Sequence, residues 1–192
     1  MTVDVTKGAS VALSKEGSDL TRVTVGLGWD PAPSSADEDF DLDASALVLG
    51  ADGRIVSRDY FVFFNNLTST YDEVTHRGDN LTGEGGGDDE QIDVQLDKLS
   101  GTVERVVFAV TIHNADYRRQ NFGDMRNAYI RVVDATRGGE LARYHLTTEA
   151  ATETAMLFGE LYRDSGGWRF RALGQGRRDG LAGIARQFGF DV

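Results

Sequence analysis

Short stretches in which every second residue is apolar recur along this 192-residue chain, and that period commits it to half-buried strands. Val23, Val25, Leu27 and Trp29 alternate with Arg22, Thr24, Gly26 and Gly28. Ile92, Val94 and Leu96 alternate with Asp93, Gln95 and Asp97, and Val106, Phe108, Val110 and Ile112 form a third set within 105–113. Residues 42–49 begin as alternation and end as an unbroken apolar run; Asp52-Gly53 then signals a hairpin from which 54–64 returns as a strand. Residues 128–133 and 141–146 flank a turn at Arg137-Gly138-Gly139, and 156–162 and 168–173 flank another at Asp164-Ser165-Gly166-Gly167. About nine or ten short strands with hairpin links predict a mainly β fold, an antiparallel β-sandwich. A short C-terminal helix closes the chain: Asp179 caps it, Leu181, Ile184, Ala185 and Phe188 share a face, and Gly189 ends it. A shorter helical turn is predicted around 115–120. With two prolines and no Ser/Pro tract, no linker is visible, and 1–192 reads as a single domain.

Composition removes several kinds of chemistry. The chain has no cysteine, which excludes disulfides, thiolate metal sites and thiol redox steps within it and fits a reducing cytoplasm. Apolar runs are too short for a membrane-spanning helix, and no export signal is expected at the N-terminus. The net charge of −11 argues against nucleic acid as a partner, since phosphate binding needs clustered Lys and Arg.

That charge is concentrated. Asp37, Glu38, Asp39, Asp41 and Asp43 lie in DEDFDLD, and Asp79, Glu84, Asp88, Asp89 and Glu90 lie in DNLTGEGGGDDE; without these ten acids the chain is nearly neutral. Carboxylates so crowded must protonate, stay hydrated or share a cation. On a strand, Asp39, Asp41 and Asp43 point to one side while Phe40 and Leu42 point to the other. Gly83, Gly85, Gly86 and Gly87 let the second segment turn tightly and direct carbonyl oxygens inward. An oxygen-rich, irregular donor set suits calcium better than magnesium, and zinc or copper would want Cys or His. The twelve-residue span Asp79–Glu90 is not an EF-hand: Leu81 and Gly83 stand at ligand positions, Glu84 stands at the turn, and strands flank it. The alternative is a solvated acidic surface; two clusters, one alternating and one glycine-rich, favour the cation.

GLGWD (26–30), FDLDASALVLG (40–50), GDNLTGEGGGDDEQI (78–92), VFAVTIHNA (107–115), RRQNFG (118–123), NAYIRVVD (127–134) and WRFRALGQG (168–176) together closely resemble the TerD family of tellurium-resistance and general stress proteins. The resemblance covers essentially the whole chain. It implies a calcium-binding β-sandwich, cytoplasmic in bacteria, acting with other tellurite-resistance and stress proteins. It carries the calcium positions onto Asp39, Asp41, Asp43, Asp79, Asn80, Gly83, Glu84, Gly85, Asp88, Asp89 and Glu90, with room for two Ca2+ ions. Asp37 and Glu38 are left out of that set, and Asp30 and Asn65 are secondary candidates.

Other residues have plainer readings. Trp29 and Trp168 are expected to pack in the core or at its rim, and His113 to be structural. Arg118 and Arg119 could hold a small anionic ligand or pair with the acidic segments. No GxSxG elbow and no P-loop is present, and no nucleophile with a base is evident. The expected function is therefore a non-enzymatic calcium-binding module of a stress or tellurite-resistance system. Two alternatives remain: a metal-dependent enzyme acting on a phosphate-containing substrate, and calcium-bridged contact with a membrane surface, for which the sequence offers no exposed apolar loop tips.

Overall fold

The computed structural model describes residues 2–13, 20–30, 40–81, 87–125, 127–145, 152–165 and 167–190. Twelve strands are found among them: β1 (Val3–Asp4), β2 (Ser10–Ala12), β3 (Arg22–Gly28), β4 (Leu42–Gly50), β5 (Phe61–Val62), β6 (Val74–His76), β7 (Glu90–Gln95), β8 (Val103–Ile112), β9 (Tyr129–Asp134), β10 (Glu140–His145), β11 (Ala155–Asp164) and β12 (Gly167–Arg177). They form two six-stranded sheets, β1-β10-β9-β3-β7-β6 and β2-β12-β11-β8-β4-β5. Every pairing is antiparallel except β1 with β10. The helices are a single turn, α1 (Ala115–Arg118), and α2 (Gly180–Gln187). None of the described helices is long and apolar enough to cross a membrane.

The alternating residues meet between the sheets. Val23, Val25 and Leu27, Ile92 and Val94, and Ile130 and Val132 from one sheet pack with Leu42, Ala46, Val48, Phe108, Phe158 and Phe170 from the other, all nearly or fully buried. A smaller core lies outside the second sheet, where Leu47, Leu49, Val107, Ala109 and Leu157 are covered by Ile184 and Ala185 of α2. That cover explains why β4 ends as a continuous apolar run: its second half is buried on both faces.

One expected strand is not there. After Gly50 a tight turn forms, with Gly53 N–H donating to Gly50 O and Leu49 bridging Ile55. The chain then leaves the sheet through a 3-10 turn at Arg58–Tyr60, and only Phe61–Val62 rejoins β4, opposite Leu47 and Ala46. The expected strand over 54–64 is broken because Ile55 and Phe61 serve the outer core.

This shortfall matters. Because β5 pairs only with Ala46 and Leu47, the first residues of β4 have β8 on one side and, among the described residues, no strand on the other. The same end of the sandwich receives the end of β3, the end of β6 and the start of β7.

Candidate metal centre

The open end of β4 is where the acidic segments converge. Carboxylate oxygens of Asp41, Asp43 and Asp79 all lie within 4.8 Å of one another. Asp41 and Asp43 are 4% and 5% exposed, while Asp79 is exposed. Phe40 and Leu42 point into the core, so the alternation DFDLD places Asp41 and Asp43 on one side. Asp41 comes from the crossover leading into the second sheet and Asp79 from the β6–β7 loop of the first.

Glu90 stands directly behind this group, with its side chain wholly buried. Its Oε2 accepts the N–H of Ala44 at 2.6 Å, where a neighbouring strand would otherwise supply the acceptor, and its Oε1 accepts the N–H of Asn80 at 3.3 Å. Trp29 ties both acidic segments to β3: its N–H donates to Asp89 Oδ2 at 2.9 Å and its indole N–H to Phe40 O at 3.2 Å. Trp29 is thus buried packing, as expected, and also a cross-link that composition does not reveal.

The electrostatics are unfavourable without compensation. Burial, then repulsion from Asp41 and Glu90, pushes the Asp43 carboxyl up to about 7. Asp41 is also raised, chiefly by burial and with a contribution from Asp79, against the pull of His113 and Arg118. Burial raises Glu90 and Asp89 as well. Asp41 Oδ1 is buried and has no hydrogen-bond partner among the described residues.

Glu73 provides the contrast. It is equally buried, at 3% exposed, but accepts hydrogen bonds from Tyr60 Oη at 2.8 Å, Ser69 Oγ at 2.7 Å and Tyr71 N at 3.2 Å. Burial alone would raise its pKa, yet these donors bring it below the usual carboxylate range. One buried carboxylate is satisfied by the protein, whereas the Asp41–Asp43 pair is left with a lone pair to offer. An all-oxygen, crowded, incompletely partnered donor set fits a hard divalent cation.

The remaining expected residues divide. Asp39, Gly83, Glu84 and Gly85 lie outside the described residues, as do Asp37 and Glu38. Asn80 adjoins the group: its side-chain amide reaches Asp89 Oδ1 at 3.4 Å. Asp89 lies near Asp30, whose carboxylate accepts from Asn127 at 2.5 Å. Asp88, however, is turned away onto the outer face of the first sheet. Arg131 grips both its oxygens, at 2.7 and 3.1 Å, Tyr129 Oη and Gln91 also reach it, and its side chain is only 1% exposed. The carboxylate lies against Gly26, where any side chain would collide with it. Arg131 goes on to Glu140 and Glu140 to Arg143, whose guanidinium stacks 4.1 Å from the Tyr129 ring centre. Asp88 therefore anchors the end of the glycine loop, an assignment its position beside Asp89 could not convey.

One further residue, His113, was read too plainly from the sequence. His113 was expected to be structural in an apolar strand; it follows β8 at the mouth of the cluster, half-exposed, with Nδ1 3.4 Å from Asp43 Oδ2. A groove of about 570 Å3 starts there, sharing Asp43 with the acidic cluster and walled by Phe64, His113, Tyr117, Arg178 and Leu181. Apolar side chains are also exposed around this end: Tyr117 is 85% and Leu81 60% exposed, contrary to the absence of such tips expected from sequence.

The fold is thus a two-sheet β-sandwich that gathers two buried carboxylates and one exposed carboxylate at one end. A model of the TerD domain matches residues 1–188, and the chain is a member of the TerD family. It is 51% identical over 192 residues to tellurium resistance protein TerD of Serratia marcescens, and 44% identical over 192 residues to general stress protein 16U of Bacillus subtilis (strain 168); both alignments span 100% of each protein. A crystal structure of a homologue of telluride resistance protein (TerD) from Streptomyces coelicolor superposes with a TM-score of 0.72 at 30% identity, covering 90% of this chain and 99% of that one.

Two outcomes are expected. Asp88→Asn should lower stability by roughly 1.5–3 kcal/mol in urea unfolding, since it weakens a bidentate charged pair, while leaving cation affinity little changed. Asp43 behaves oppositely in the cation-free protein. Its carboxyl binds a proton more tightly folded than unfolded, so its penalty is absent below the unfolded value near 3.8 and complete above about 7. Asp43→Asn should therefore raise the cation-free melting temperature at pH 7.5, by roughly 2–4 °C per kcal/mol relieved, and the gain should vanish near pH 4.

Proposed function

We propose that this protein is a calcium-binding, non-enzymatic module of a bacterial tellurite-resistance and stress-response system, working in the cytoplasm. The observation that carries the reading is the group Asp41, Asp43 and Asp79, with a buried oxygen of Asp41 left without a partner. Asp89 and Asn80 stand beside it and Asp39 precedes it in the chain, so the donor set can extend toward two ions. Calcium bound there would neutralise the crowded carboxylates and order the loops that carry them. The loaded end would then present a surface to another protein of the same stress system, or to a small anionic ligand near Arg118 and Arg119. No nucleic acid is expected as a partner, because Arg131, Arg143 and Arg177 are engaged with this protein's own carboxylates.

Isothermal titration with calcium should give saturable binding and a rise in melting temperature by linkage. Asp43→Asn should weaken binding severely while Asp88→Asn does not. A flat titration at millimolar calcium would overturn the reading.

A second reading draws on Leu81 and Tyr117, exposed beside the acidic group. They suit calcium-bridged contact with anionic lipid, the ion linking carboxylate to headgroup while the apolar tips enter the interface. Co-sedimentation with phosphatidylserine vesicles in calcium, lost with chelator and reduced in a Leu81→Ser, Tyr117→Ser double variant, is the expected result. Equal sedimentation with and without calcium excludes it.

A further inference from the structure

His76 takes no part in the acidic group, yet it lies against Glu90, the buried side chain behind that group. Its side chain is fully buried at the end of β6, and its Nε2 lies 3.4 Å from Glu90 Oε2. The N–H of Gly78 donates to its Nδ1 at 3.1 Å. A ring nitrogen that accepts carries no hydrogen, so the proton sits on Nε2, facing Glu90. Nε2 makes no well-formed hydrogen bond to any described residue, and Glu90 Oε2 at 3.4 Å is the carboxylate oxygen it faces.

Glu90 in turn fixes two pieces of backbone from different sheets. Through Oε2 it holds the Ala44 N–H, and so the residue after Asp43; through Oε1 it holds the Asn80 N–H, and so the residue after Asp79. Two of the three clustered carboxylates are therefore placed by the two oxygens of one buried side chain. On its protein side that side chain is faced by the His76 ring, whose Nε2–H can add a third donor. Histidine in this tautomer supplies one without adding charge. Lysine or arginine would also donate, but would put a fixed positive charge behind a site that must attract a cation.

We propose that His76 is a positioning residue of the cation site: by orienting Glu90 it sets the separation of Asp43 and Asp79, although it ligates nothing. The inference rests on the calcium reading above. Groups that orient ligands from behind are typically worth 10- to 100-fold in metal affinity.

The test compares wild type, His76→Gln and His76→Leu by calcium titration calorimetry, with the melting temperature of each calcium-free protein measured alongside. Gln can place an N–H near the position of Nε2, whereas Leu fills the space without a donor. His76→Leu should bind calcium at least about tenfold more weakly, and His76→Gln should recover most of that loss. A purely structural role would instead lower the calcium-free melting temperature and leave affinity unchanged, and that result overturns the proposal. So does His76→Gln binding as weakly as His76→Leu. If wild type itself binds no calcium, the calcium reading fails, and this inference fails with it. Should His76→Leu not fold, ring nitrogen shifts of His76 in the wild-type protein decide the matter. Protonation on Nε2, with a shift change on adding calcium, supports the proposal; protonation on Nδ1, or no response to bound calcium, overturns it.

Discussion

A backbone N–H on a buried strand must find an acceptor, and at Ala44 the sheet does not provide one. The carboxylate of Glu90, reaching across from the other sheet, takes the place of the missing strand. The rest of the acidic end follows from that substitution. A charge is brought inside to satisfy a main-chain donor, and Asp41, Asp43 and Asp79 gather around it; burial, then Asp41, Glu90 and Asp79, make ionisation of Asp43 harder. Left alone this arrangement is unfavourable, and a divalent cation bound as proposed would offset it at the point where the charges meet.

The same chain shows how else buried carboxylates can be handled. Glu73 is surrounded by hydroxyl and amide donors, and Asp88 is clasped by Arg131. Glu160 sits between Arg105 and Arg171 on the outside of the second sheet, at 3.8 and 3.2 Å. In each case the compensation comes from the protein. Asp41 differs because a buried oxygen has none, and that difference separates a candidate ligand from an acid that merely lies in an acidic sequence.

Much of this was legible from residue order. Period-2 alternation located β3, β4, β7, β8 and β9 because one face of each packs on the same core, and DFDLD correctly put Asp41 and Asp43 on one side. What failed was whatever depends on distant partners. The hairpin signal before 54–64 could not show that Ile55 and Phe61 would turn to the outer core beneath α2. Asp88 and Asp89 are adjacent and chemically alike; their separate roles are decided by Arg131 and Trp29, 43 and 60 positions away. His76 carried no local signal at all, since its meaning arises only when β6 pairs with β7. The small edge strands β1 and β2 were missed because two or three exposed residues have no period to read.

The clustered carboxylates reach the site from both halves of the sandwich, Asp41 and Asp43 with the second sheet and Asp79 and Glu90 with the first. In the unfolded chain they are far apart, and even one completed sheet does not assemble them. A cation held there would gain its full affinity only once both sheets are docked, so its contacts would be among the last to form. Its kinetic effect would fall on escape from the native state rather than on its formation. The acidic end would then act as a latch, setting how long the two sheets stay together once they have met.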